Sequence, residues 1–291
     1  MKHKVAIVIP ARLRSTRLPE KMLADLAGKP LVVHTYQRAK QAKLADTVVL
    51  AVDDKKILEA VSPFGCEVRL TPKRLKSGSD RVAFLAAELN AEIIVNVQGD
   101  EPLIHPKMID QVIAQMLVSP MPDCATLVKV IRDNTLLNNP SVVKVVLDKD
   151  GYALYFSRSA IPYPRHVMAH AKFYKHIGIY AYTRKTLHAF SRLRPSRLEQ
   201  IEGLEQLRLL ENGYAIKCAL TTHDSQAVDT AEDLKKSPRA HKQKCAIIFQ
   251  SPFVFSNPLL IFSTHICALS SVRATMTTRS TFQNRLCNMQ S

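Results

Sequence analysis

Several common functional signatures are missing from this chain of 291 residues. There is no G-x-G-x-x-G fingerprint and no G-x-x-x-x-G-K-[ST] loop. That excludes the usual glycine-rich routes to a dinucleotide or a Walker-type phosphate site. No run of ~18 apolar residues occurs, so no segment is expected to span a bilayer. The six cysteines stand at 66, 124, 218, 245, 267 and 287, with no C-x-x-C pair and no finger-like spacing to the ten histidines. A structural zinc site is therefore not indicated, and the thiols read as reduced cysteines of a cytosolic protein. A charged leader with an apolar stretch and cleavage site is not evident either, so the expected location is the cytoplasm. Acids are absent from residues 235–291.

That last absence explains most of the net charge. The chain carries +16 in all, but residues 1–234 hold 33 Lys and Arg against 25 Asp and Glu, giving +8. The other +8 lies in the acid-free end. A basic stripe interleaved with aromatics, as on single-strand nucleic-acid surfaces, is missing. The first part suits an enzyme for anionic substrates, with no nucleic-acid partner. The apolar fraction of 46% is ordinary for a folded globular chain.

Residues 5–21, V-A-I-V-I-P-A-R-L-R-S-T-R-L-P-E-K, organise the rest. Val5 to Ile9 is an uninterrupted apolar run, the pattern of a strand buried on both faces. Pro10 is expected to end it, having no N–H for a ladder. Arg12, Arg14, Arg17 and Lys21 follow, interleaved with Ser15 and Thr16. Ligands of open parallel sheets sit at the carboxyl ends of the strands. A cationic loop there suits a polyphosphate cradle, and equally a solvated basic loop.

Further strands are expected at 47–52, 66–70 and 92–97, with helices at 31–39, 55–61, 82–89 and 108–117. Residues 77–81 read as a turn feeding the third helix. This alternation predicts βαβ units and a mainly parallel sheet. From Val142 the pattern changes to a hairpin around 148–151 and an extended loop, Arg158 to Arg165, stiffened by two prolines. An alternating strand at 175–182 follows, then one helix over 197–210 and a last strand at 215–220. Thr230 is placed to cap a helix.

Asp100 follows a buried strand, so it faces the same rim as the first loop. Asp229 is a candidate second carboxylate. Two such groups with a triphosphate would satisfy Mg2+, although each could simply cap a turn. His176 and Tyr180 share one face of a strand, with Gly178 between them; the spacing by itself favours a core histidine and a core tyrosine. Arg158 and Arg165 could clamp a carboxylate, or remain solvated. Glu205, read alone, is a helix surface residue.

Eight blocks resemble one enzyme family: 9–21, S-G-S-D-R (77–81), N-V-Q-G-D-E-P-L-I (96–104), N-P-S-V-V-K-V-V-L-D (139–148), Y-F-S-R-S-A-I-P-Y-P-R (155–165), H-I-G-I-Y-A-Y (176–182), L-E-Q-L-R-L-L-E-N-G (204–213) and V-D-T-A-E-D-L (228–234). In this order they are similar to the 3-deoxy-manno-octulosonate (Kdo) cytidylyltransferases, or CMP-Kdo synthetases. The resemblance implies an α/β, three-layer nucleotide-diphospho-sugar transferase-like fold with a mixed, mainly parallel sheet. It implies a catalytic domain over 1–236, with a small β-rich lobe at about 142–190 for sugar and dimer contacts. The implied reaction joins CTP and Kdo into CMP-Kdo and pyrophosphate for lipopolysaccharide biosynthesis, with Mg2+ and in a homodimer.

By the same resemblance, Ala11, Arg12 and Lys21 hold the CTP phosphates. Ser77 and Gly78 contact cytosine, with Arg81 nearby, and Asp100 and Asp229 ligate Mg2+. Gln98, Arg158, Arg165, His176, Tyr180 and Glu205 bind the sugar acid; Arg12, Lys21 and Asp100 are the catalytic set. The rival readings are a cytidylyltransferase for another acidic sugar, such as 8-amino-Kdo or neuraminate, and a nucleotide-binding protein impaired in turnover.

Three departures stand out. The family usually has Gly before the phosphate-loop lysine and Pro after it; here these are Glu20 and Met22. A carboxylate at Glu20 would repel a triphosphate unless it points away. Ala231 replaces a common Pro. Residues 237–291 lack acids and periodicity and are expected to be a disordered or frameshifted tail replacing a final helix. The alternative is a membrane-surface or nucleic-acid tail, for which 247–255 is apolar but not amphipathic.

Overall fold

The computed structural model describes residues 3–15, 18–166 and 172–235. Thr16 and Arg17 of the first loop lie outside these residues, as does the expected tail. Strand β1 (Val5–Ala11) leads through a helical turn at Lys21–Leu23 and a small ribbon, β2 (Asp25–Leu26) with β3 (Lys29–Pro30), to α1 (Leu31–Ala39). Then follow β4 (Thr47–Val52), α2 (Lys55–Val61), β5 (Val68–Leu70), α3 (Gly78–Ala86), β6 (Ile93–Asn96) and α4 (Pro106–Met116). Next come β7 (Cys124–Val130), the short α5 (Asn134–Leu137), β8 (Lys144–Leu147), β9 (Ala153–Ser157) and β10 (Tyr174–Thr183). The described chain continues with α6 (Arg184–Phe190), α7 (Arg197–Glu202), α8 (Gln206–Glu211) and β11 (Ile216–Leu220).

Among the described residues, nine strands form one sheet, in the order β11-β7-β10-β6-β1-β4-β5 with β8 and β9 off this path. β1 pairs in parallel with β4 and β6. β10 runs antiparallel to β6 and β7, so the sheet is mixed. Every β1 residue is buried. Val5, Ile7, Ile9 and Ala11 feed one core layer with α1 and α4. Ala6 and Val8 feed the other with α3, α6 and α8. The continuous apolar run follows from this double burial, since alternate side chains leave opposite faces. The result is the expected three-layer α/β arrangement.

The structure corrects several boundaries. β1 runs through Pro10, which pairs in register with Ala51 of β4. Val97 N–H donates to Val8 C=O, so by alternation the nitrogen of Pro10 faces the β6 side, beyond the last paired residue, Asn96. A missing N–H there breaks no ladder. α3 starts at Gly78, because Ser77 and Asp80 form a reciprocal capping box. The single helix expected over 197–210 is two, α7 and α8, separated where Gly203 turns left-handed at φ 62°. β7 and α6 were not foreseen. The expected β-rich segment, 142–190, supplies the β8–β9 hairpin, which pairs with β10. It also supplies β10 itself, an inner strand of the main sheet. No helix among the described residues is long and apolar enough to cross a membrane.

Candidate active site

The loop after β1 lines a cleft of about 820 Å3 with Arg12, Arg14, Ser15, Glu20 and Lys21, and Gly78 of α3 with Gln98 and Asp100 after β6 line it too. Both ends of the loop are tied to the β4–α2 junction. Leu13 N–H donates to Asp53 Oδ1 at 2.9 Å. At the far end, Lys56 Nζ donates to both carboxylate oxygens of Glu20, at 2.5 and 2.7 Å. Glu20 has φ 50°, a left-handed conformation that glycine adopts without strain. The Glu20 carboxylate is thereby turned onto a cation of α2. Ala11 is fully buried beneath the loop, and Arg12 donates to the Lys76 carbonyl at 2.8 Å.

Asp100 stands on the loop after β6, as its position beyond a buried strand predicts. Gly99 makes this loop possible: a Cβ there would lie 2.7 Å from the Pro10 carbonyl oxygen. The Asp100 carbonyl accepts from Val228 N–H at 2.9 Å. That bond brings Asp229, from a segment without regular structure, to the same rim. Thr230 and Asp233 then form reciprocal cap bonds, as expected for Thr230. Lys21 Nζ donates to Asp100 Oδ2 at 2.5 Å and to Asp229 Oδ1 at 3.0 Å. Lys21 is 7% exposed. Burial pulls its ammonium down, but the two carboxylates more than offset this and raise it above its ordinary value. The neighbouring Glu101 is buried, and burial pushes its carboxyl up to about 7.

A second cavity, of about 300 Å3, opens beside the first and shares Gly78 and Gln98 with it. His176, Gly178, Tyr180 and Glu205 line it. The His176 Nε2 is 2.9 Å from Thr126 Oγ1, and Phe156 meets the ring edge-on. Burial pushes this imidazole down to about 3, so it is neutral near pH 7. Burial likewise drives the Tyr180 hydroxyl well up. Ser79 Oγ donates to Glu205 Oε2 at 2.8 Å, which bridges α3 to the start of α8 across the cavity mouth.

Lys21, Asp100 and Asp229 thus meet at one cleft. Gln98, His176, Tyr180 and Glu205 meet at the adjoining one. Ala11, Ser77, Arg81, Arg158 and Arg165 are not among the described residues lining either cavity. Arg81 is fully buried, bonded to Thr71 Oγ1 and Asp53, so it lies behind the cleft as a support for Asp53. Arg158 spends its guanidinium on the carbonyls of Pro140, Glu202 and Gly203, and this ties the loop after β9 to α7. Arg165 is exposed. Ser77 caps α3 and positions Gly78.

Sequence reasoning missed Asp53, Ser79 and Asn96. Asn96 is buried and lines the second cavity two residues before Gln98. The polar break in the apolar strand E-I-I-V-N-V could have signalled it. Asp53 follows a buried strand just as Asp100 does, and that position could have signalled it; nothing local signals Ser79.

A mixed sheet that brings a cationic loop, a strand-end carboxylate and a second carboxylate from a distant loop to one rim is the kind of site a nucleotidyltransferase uses. The cytidylyltransferase family model matches residues 6–236. A 3-deoxy-manno-octulosonate cytidylyltransferase of Chloroherpeton thalassium is 57% identical over 80% of this chain and 96% of its own length. That of Chlorobaculum tepidum is 49% identical over 82% and 97%. The chain belongs to the 3-deoxy-manno-octulosonate cytidylyltransferase family. A solved structure of CMP:2-keto-3-deoxy-manno-octonic acid synthetase complexed with CTP superposes with a TM-score of 0.79 at 41% identity, covering 83% of this chain and 99% of that one. At 12% identity and a TM-score of 0.55, a 4-diphosphocytidyl-2C-methyl-D-erythritol synthase from Anaerococcus prevotii shares the fold.

Proposed function

We propose that this enzyme transfers CMP from CTP to the anomeric hydroxyl of Kdo, forming CMP-Kdo and pyrophosphate for lipopolysaccharide in the cytoplasm. The observation that carries this reading is the shared wall. A cationic cleft sized for a nucleotide meets a smaller polar pocket at Gly78 and Gln98. The α-phosphorus belongs at that junction, with the sugar oxygen attacking from the His176 side. The new bond is sugar oxygen to phosphorus, the bond broken is phosphorus to the bridging oxygen of pyrophosphate, and the hydroxyl proton passes to solvent. Catalysis then consists of positioning and charge neutralisation.

Arg12 and Lys21 neutralise the phosphates, and Ser77 and Gly78 at the start of α3 face the base. Gln98, on the shared wall, orients the attacking hydroxyl. His176, being neutral, can accept or donate one hydrogen bond to a sugar hydroxyl, and Tyr180 and Glu205 take others. Arg165, exposed on the loop after β9, would reach the sugar carboxylate from outside the pocket, while Arg158 shapes the pocket through its carbonyl contacts. The donor set around Lys21 fits a hard cation, because two carboxylates already converge on one positive charge. Asp100 and Asp229 would hold Mg2+, which when bound screens phosphate charge.

The enzyme is further proposed to act as a homodimer. Leu154 of β9 and Ile201 of α7 are 60% and 69% exposed. Ser157, the last residue of β9, and Arg158 just after it donate to Glu202, the last residue of α7. Exposed apolar side chains such as these suit contact with a second copy.

Pyrophosphate release with all four nucleoside triphosphates and a panel of acidic sugars tests the reaction. Release with CTP and Kdo, lost in Asp100→Ala, is expected. A preference for 8-amino-Kdo or neuraminate reassigns the sugar, and no release with any pair removes the enzyme reading.

A further inference from the structure

Two carboxylates assigned to a divalent cation are both bonded to a lysine of the same chain. Lys21 Nζ sits 2.5 Å from Asp100 Oδ2 and 3.0 Å from Asp229 Oδ1. The root of this lysine is fixed. Its N–H donates to the Leu18 carbonyl and its carbonyl accepts from Ala24 N–H. Its stem is buried, so only the terminal ammonium can change partners. Mg2+ binds carboxylate oxygens at about 2.0–2.1 Å. An ammonium held between the same two oxygens fills that space and repels a second cation. Lys21 also lines the large cleft, so the phosphates of a bound nucleotide are the anion within reach of its ammonium when it leaves Asp100 and Asp229.

We infer that Lys21 is a resident counter-ion that plugs the metal position until a nucleoside triphosphate draws its ammonium away, so that divalent cation binding is conditional on nucleotide. The inference rests on the proposed metal role of Asp100 and Asp229. Asp53, Lys56 and the loop ties hold the backbone while only the lysine tip is exchanged. Should the ammonium vacate the site about 10% of the time, the apparent cation affinity of the free protein falls about tenfold.

Binding of Mn2+ to the full-length protein, followed by electron paramagnetic resonance and water-proton relaxation, tests this without turnover. Without nucleotide the wild type is expected to bind Mn2+ at least about tenfold more weakly than Lys21→Met. Adding Asp100→Asn to Lys21→Met should erase the gain. Lys21→Gln replaces Lys21→Met if the latter does not fold. The wild-type arm also stands by itself: stoichiometric Mn2+ binding without nucleotide overturns the inference. So does a Lys21→Met that binds no better than wild type while both form a protein–Mn2+–CTP complex; that outcome leaves the metal reading intact. A gain that survives Asp100→Asn, or no ternary complex in any variant, overturns the metal role of these carboxylates and the plug with it.

Discussion

Lys56 holds both carboxylate oxygens of Glu20 at the rim of the larger cleft, and so pairs the one acidic side chain of the loop after β1 with a cation of α2. The sequence marked Glu20 as a departure that would repel CTP. The structure turns it onto α2 instead.

Lys56→Ala should therefore release that charge and raise the KM for CTP roughly two- to fivefold, the range of an exposed ion pair. Adding Glu20→Gly should return KM to the wild-type value and also relax the left-handed backbone at φ 50°. Steady-state kinetics at low salt measure both. A double variant as weak as Lys56→Ala alone refutes the shielding role.

Asp53 joins two distant elements, accepting from Leu13 N–H and from the buried Arg81 guanidinium. Asp53→Ala leaves that cation without its carboxylate and should cost about 3–5 kcal/mol of unfolding free energy. Arg81→Met in the same chain should recover a large part of it, because the uncompensated charge is gone. Urea titrations of the three variants are the check, and a loss below about 1 kcal/mol for Asp53→Ala would show the contact to be dispensable.

His176 makes stability depend on pH. Its folded value, about 3, lies below the ordinary ~6.5 of an unfolded imidazole. Between these values the unfolded chain binds the extra proton. The stabilisation is complete above ~6.5 and is lost as pH falls towards 3, with a slope of at most about 1.4 kcal/mol per pH unit. Chemical denaturation from about pH 7 to pH 4 should show a shallower decline in His176→Gln than in the wild type. Parallel profiles would remove His176 as the source.

Leu154→Lys with Ile201→Lys places charge on the proposed dimer face. Sedimentation should show a shift from dimer to monomer, with the far-ultraviolet circular dichroism unchanged. A variant that stays dimeric moves the interface elsewhere.

Much of the sheet was legible because β1, β4 and β6 are buried on both faces and read as plain apolar runs. β7, C-A-T-L-V-K-V, is equally apolar but was overlooked, lying between a proline-containing loop and a polar stretch without a second strand nearby to suggest a unit. Pro10 misled for a geometric reason: the rule against proline in strands assumes a neighbour on its nitrogen side, and β6 stops short. Leucines at helical spacing run unbroken past Gly203, whose left-handed turn only the fold reveals. The meeting of Lys21, Asp100 and Asp229 spans most of the chain. No local spacing encodes it; the place of Asp100 beyond a buried strand pointed to the rim of the first loop, and the motif resemblance supplied the roles. Arg81 follows a cap motif at the cleft, yet its burial depends on Asp53 and Thr71, which the linear sequence leaves far away.

Because Gly78 and Gln98 belong to both chambers, a joined nucleotide-sugar would occupy the two together. Such a product must clear both compartments before either reactant can return, and it should therefore compete with CTP and with the sugar acid alike.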